Sequence, residues 1–193
     1  MRYVCLGLAI LCSTPVWAYP KLSADETTKL KAGDVVVRSL TPTADSGVSV
    51  RAFGIINASP DAVWPVVRDC QYFKDFMPRT KQSRLMSKTG QTAVCFFEID
   101  MPFPFDNLSS SVRSVEKALP QGGHTRSWTL IEGSYRRNNG SWTVVPWAQT
   151  KSLLVYFIDI DPKVSIPDFV IRKAQAGKLP EVFEAVERRV HSR

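Results

Sequence analysis

Residues 80–161 read as a run of strand-like segments joined by breaks too short to hold a crossover helix. The segments cover 80–88, 92–101, 107–118, 124–133, 140–147 and 151–161, each rich in β-branched and aromatic residues. Turn-forming stretches separate most of them: Thr89-Gly90, Pro120-Gln121-Gly122-Gly123, Asn138-Asn139-Gly140 and Gln149-Thr150. A parallel connection needs about a dozen residues or more, so these neighbours must pair antiparallel. Whatever else the chain does, it has to bury one face of a long antiparallel meander.

Helical periodicity lies on either side of the meander. Residues 166–191 place Val170, Ala174, Leu179, Val182, Phe183, Val186 and Val190 on one stripe, with Arg172, Lys173, Lys178, Arg188 and Arg189 mostly off it. Gly177 and Pro180 should bend this helix. Upstream, Ser23-Ala24-Asp25-Glu26 is a capping box that starts a short helix ending at Gly33. Strands are expected at 34–40 and 48–57, divided by a turn region at 41–47. Ser59-Pro60 then opens a helix whose Val63, Trp64, Val67 and Cys70 form one apolar face, followed by a short turn over 72–77.

Alternation shows which strand faces turn inward. Ala93, Cys95, Phe97, Ile99 and Met101 are apolar at every second position, with Glu98 and Asp100 between them. The same test selects Val48, Val50, Ala52 and Ile56, and Trp128 with Leu130. The strands carrying Trp142 and Val144, and Leu154, Tyr156 and Ile158, are apolar on both faces, so periodicity does not choose between them.

The first 18 residues follow secretory grammar: Arg2, an apolar run over 3–11, and Val16-Trp17-Ala18 as a cleavage end. The apolar run is too short to span a bilayer. Leu11 stands where a lipoprotein signal has a small residue, so lipidation of Cys12 is not expected. The chain is therefore expected to divide into a signal peptide (1–18), an N-terminal helix-and-strand extension (19–46) and one domain (47–193), located in the periplasm or secreted. Its 193 residues, with 44% hydrophobic and 22% charged, suit one globular domain. Export would leave Cys70 and Cys95, either bridged or as two buried thiols. Two histidines and this cysteine spacing match no metal pattern, so neither metal nor cofactor is expected.

Local segments in this order resemble the helix-grip fold of the START-like superfamily, which includes birch-pollen-allergen-like proteins, polyketide cyclases and coenzyme Q-binding proteins. The resemblance rests on Ile56-Asn57-Ala58-Ser59-Pro60-Asp61-Ala62-Val63-Trp64 and Asp69-Cys70-Gln71-Tyr72-Phe73 through Met77-Pro78. Later it is carried by Ser127-Trp128, by Gly140-Ser141-Trp142-Thr143-Val144-Val145-Pro146, and by Asp161-Pro162 with Ile166-Pro167-Asp168-Phe169. One departure is Pro102-Phe103-Pro104-Phe105-Asp106-Asn107, where lipid-transfer relatives often follow Pro-Trp-Pro with an acidic-basic pair; the basic member is missing. The resemblance implies an α+β fold, a curved antiparallel sheet wrapped around a long C-terminal helix with an apolar cavity between them.

That cavity would be walled by Ala52, by Cys95, Phe97 and Ile99, by Arg126, Trp128 and Leu130, by Trp142 and Val144, by Tyr156 and Ile158, and by Val170, Phe183 and Val186 of the helix. Buried aromatics serve equally as plain core filling. Tyr156, Arg126 or Thr143 would orient a ligand whose affinity comes from apolar burial. No Ser-His-Asp order, phosphate loop or metal cluster is present, and no catalytic residue is assigned. Arg126 and Glu132 read as solvated rim charges. The expected function is an exported binding or carrier protein for an apolar small molecule, lipid-like or isoprenoid-like. Its rivals are a cyclase or hydratase using Arg126, Glu132 or Tyr156, and an interaction module with a filled core. A net charge of +7 permits transient contact with an anionic membrane surface and gives little reason for nucleic-acid binding.

Overall fold

The computed structural model describes residues 21–164 and 168–192, and of residues 168–177 the backbone alone. The expected leader lies outside the described residues. Helix α1 (Ala24–Ala32) begins as its sequence dictates: the Ser23 hydroxyl accepts from the Glu26 amide at 3.1 Å while the Ser23 amide donates to the Glu26 carboxylate at 2.7 Å. It ends at Gly33, whose φ of 95° a residue with a Cβ rarely adopts. Strands β1 (Val36–Leu40) and β2 (Val48–Ile56) follow, then α2 (Pro60–Arg68) and a tight turn over Cys70–Asp75. Ser59 occupies the cap position of α2, but its side chain makes no capping hydrogen bond, and Pro60 alone supplies the expected start signal.

The meander comprises β3 (Thr80–Thr89), β4 (Thr92–Ile99), β5 (Leu108–Leu119), β6 (Gly123–Gly133), β7 (Tyr135–Ala148) and β8 (Lys151–Pro162), and α3 (Asp168–His191) closes the chain. All the strands form one eight-stranded antiparallel sheet in the order β1-β2-β8-β7-β6-β5-β4-β3. The sheet curves around α3, giving the α+β helix-grip architecture. The expected extension supplies the edge strand β1.

Strand β7 begins earlier than the sequence suggested. Asn138-Asn139-Gly140, read as a turn, lies inside the strand, and the reversal occurs at Gly133-Ser134. The turn-like residues are there for their side chains. Asn138 bridges Trp128 and Ser110, Asn139 accepts from the Leu130 amide at 3.4 Å, and Gly140 leaves room for the Trp128 indole. A Cβ at Gly140 would sit 2.3 Å from that ring.

The sheet is covered on both faces. Its concave face, with Val48, Val50, Ala52, Ile56, Trp142, Val144 and Leu154, packs against α2 and against Leu179, Phe183 and Val186 of α3. Its convex face carries a second core of Val36, Phe53, Val145, Leu153 and Val155 under Leu30 of α1. Strand β8 is therefore apolar on both faces because both are buried, which is why alternation was silent there. Helix α3 continues through Pro180; Val170 and Ala174 fall where side chains are not described.

Candidate ligand cavity

A cavity of about 390 Å³ lies between the concave face and α3. One side is Phe97, Ile99 and Val112 from β4 and β5; the opposite side is Trp142, Tyr156, Ile158 and Ile160 from β7 and β8. Phe73 and Met77 close it from the segment after α2, and Leu179 and Val182 close it from α3. The rim is formed by Arg79, Met101, Pro102, Pro162 and Lys178.

Polar groups on this wall are few and specifically placed. Trp128 Nε1 donates to Asn138 Oδ1 at 3.2 Å, and Asn138 Nδ2 donates to Ser110 Oγ at 3.1 Å. Trp142 packs against Tyr156 in a tilted pair with ring centres 4.2 Å apart, and Trp128 stacks with the same phenol at 6.1 Å. Burial pushes the Tyr135 hydroxyl up to about 12 and the Tyr156 hydroxyl beyond the usual phenolic range, with neighbouring Tyr135 adding to the latter. Both phenols stay protonated at neutral pH.

Arg126 is 2% exposed and faces the same space. It is not the solvated rim charge the sequence suggested. Its Nη2 donates to Cys95 Sγ at 3.2 Å and its Nη1 to the Val67 carbonyl at 3.4 Å. Burial pulls its pKa down to about 10, and Glu116 and Asp69 at longer range pull it back, so it remains charged. Cys95 is joined to Cys70 in a disulfide, which ties β4 to the turn after α2.

A family model described as "Polyketide cyclase / dehydrase and lipid transport" matches residues 56–187. The chain belongs to this family. No curated protein matches it significantly by sequence. Among solved structures it is similar to a STAR-related lipid transfer protein from Xanthomonas axonopodis, with TM-score 0.72 and 18% identity over 81% of this chain and 93% of that one. It also resembles human StAR-related lipid transfer protein 5 (TM-score 0.70, 17% identity, 83% of each chain). The Zhui aromatase/cyclase from a Streptomyces species matches at TM-score 0.61 and 14% identity, over 74% of this chain and 93% of that one. At such identities the likeness concerns the fold. The family implies binding of hydrophobic small molecules.

Against this family frame, Phe97, Ile99, Arg126, Trp128, Trp142, Tyr156 and Ile158 are gathered on the cavity wall. Other residues expected there stand elsewhere. Ala52, Val144, Phe183 and Val186 are at most 3% exposed in solid core, because α3 descends onto β2 at that end of the sheet. Cys95 sits behind the wall in its disulfide, and Leu130 packs at the core's margin. Val170 lies where side chains are not described. Thr143 points to the convex side, where its hydroxyl meets Thr125 at 2.9 Å, and Glu132 is exposed. His124 stacks on Trp64 at 5.0 Å and faces Asp61, away from the cavity.

Wall residues that the sequence reading passed over include Met77, Leu108, Ser110, Val112, Tyr135, Asn138 and Ile160. Extending the alternation of β8 two residues beyond Ile158 reaches Ile160, and extending that of β7 back from Trp142 reaches Asn138. Leu108 and Ser110 carry the corresponding signal on β5, weakened by the serine-rich run around them.

Proposed function

We propose that this protein is an exported carrier that holds one apolar small molecule between sheet and C-terminal helix and exchanges it at a membrane surface. The observation that carries this reading is the cavity itself: an apolar chamber of about 390 Å³, toward the lower end of the roughly 300–1,000 Å³ of small-molecule sites. Carriage is favoured over catalysis by the wall chemistry. Among the described residues it holds no carboxylate and no imidazole, and its Tyr156 and Arg126 both keep their protons at neutral pH.

Export is supported by the secretory grammar of residues 1–18 and by the Cys70–Cys95 disulfide, which persists in oxidising compartments. Membrane exchange is supported by the rim. Phe103 is 98% exposed next to Pro102, and Val164 is exposed just beyond Pro162, with Arg79, Lys163 and Lys178 alongside. An exposed aromatic among cations suits an interface with anionic lipid headgroups.

Titration with the apolar fluorophore Nile red tests the reading. One equivalent should bind and be displaced by hexadecan-1-ol. Ile160→Trp, which adds an indole to the chamber, should bind at least about tenfold more weakly while keeping the native circular dichroism spectrum. No binding by the unmodified protein, or unchanged binding by Ile160→Trp, overturns it.

A further inference from the structure

Arg126 is a charge that apolar carriage does not use. It stands in a cross-strand row with Trp142 and Tyr156, at the end of the chamber remote from Pro102 and Pro162. Its two direct partners are weak: a disulfide sulfur at 3.2 Å and a carbonyl at 3.4 Å. Glu116 lies directly opposite on β5, but its carboxylate faces Lys88 at 3.5 Å and Arg68 at 4.0 Å. Among the described residues no carboxylate comes within ion-pair distance of Arg126. A guanidinium this dry is costly without a counter-ion, and arginine does not give up its proton.

We propose that Arg126 is a headgroup site, and that the ligand is a single-chain amphiphile ending in a carboxylate, bound head inward with its chain running past Trp128 and Ile158 to the mouth. This rests on the carrier reading and names the ligand's chemistry. A guanidinium offers a rigid fork of donors, and a carboxylate is an acceptor-only group that fits it in two parallel hydrogen bonds. The hydrogen-bonded series Trp128, Asn138, Ser110 leaves out the Tyr156 hydroxyl, which supplies a further donor in the same row as Arg126. An alcohol or ester head would leave the buried charge uncompensated. The chamber's modest volume suits one chain.

The test compares hexadecanoate, hexadecan-1-ol and methyl hexadecanoate by calorimetry on delipidated full-length protein at pH 8. Hexadecanoate should bind at least about tenfold more tightly than either neutral analogue. Arg126→Met should erase that preference, bringing hexadecanoate to the affinity of the neutral analogues, and Arg126→Lys should restore part of it. Orientation is read with 12-(1-pyrenyl)dodecanoate, whose pyrene should remain open to quenching by aqueous iodide. Equal affinities in the unmodified protein, a preference retained in Arg126→Met, or a shielded pyrene overturns the proposal. Should Arg126→Met not fold, the unmodified protein's preference and the pyrene quenching decide alone. If the neutral analogues bind as well as the acid, only the headgroup assignment falls; if none of the three binds and Nile red does not either, the carrier reading falls with it.

Discussion

Gly54 shows how one missing side chain positions a helix. A Cβ there would lie 2.4 Å from the Phe183 ring, so α3 reaches β2 only because the residue is glycine. Gly54→Ala should cost about 1–3 kcal/mol by overpacking, read by urea unfolding, with a matching loss of native near-ultraviolet dichroism. The two wall tryptophans should separate. Trp142 is 4% exposed and packed against Tyr156, so Trp142→Ala should cost about 3–5 kcal/mol. Trp128 is half-buried and borders open space, so Trp128→Ala should cost less stability and weaken Nile red binding more; equal costs with unchanged binding would make Trp128 plain core. Trp128 was legible as inward-facing from alternation, whereas Trp142 stands on a strand apolar on both faces and came to the wall through the family resemblance. The inward turn of Arg126 was not legible, since charge argues for the surface and only the surrounding fold can say otherwise.

Among elements, the Cys70–Cys95 link and α1 make the sharpest contrast. The link closes a loop of sequence separation 25, and chain entropy assigns such a loop about 3.5 kcal/mol. Cys70→Ala with Cys95→Ala should lower unfolding free energy by about that much in the absence of reductant. Helix α1 is held by burial of Leu30 and by a Glu26–Arg38 ion pair of 2.5 Å. The hydrogen bonds from Arg38, then from the Ser23 amide, hold the Glu26 carboxyl down at about 2 from its ordinary 4.5. A lowered carboxylate contributes above its unfolded pKa and loses that contribution as pH falls through the folded one. Amide protection factors in α1, corrected for the intrinsic pH dependence of exchange, should therefore fall selectively between about pH 4.5 and 2, and Glu26→Gln should show the reduced protection already at pH 7. The capping box and the meander were readable because local chemistry decides them. Strand β7 was misplaced because Asn138, Asn139 and Gly140 look like a turn until their cross-strand partners are known.

At the scale of the whole molecule, short connections make an antiparallel meander that needs a cover, and one long helix ends the chain. The resemblance supplied the wrapping of sheet around helix; the meander and the helix themselves follow from spacing and composition. The chamber does not, because a cavity is a shortfall of packing between distant elements, and no local pattern distinguishes a residue facing a void from one facing a neighbour. Helix α3 seats Phe183 and Val186 firmly at one end, while Leu179 and Val182 border open space toward the other. The account's central claim is that this space holds one apolar molecule. Native mass spectrometry of the protein isolated from its own host, before and after organic extraction, tests it most directly. The predicted result is a mass excess of a single small molecule that disappears on extraction, and a bare-chain mass in every unextracted preparation, with no Nile red binding, would contradict it.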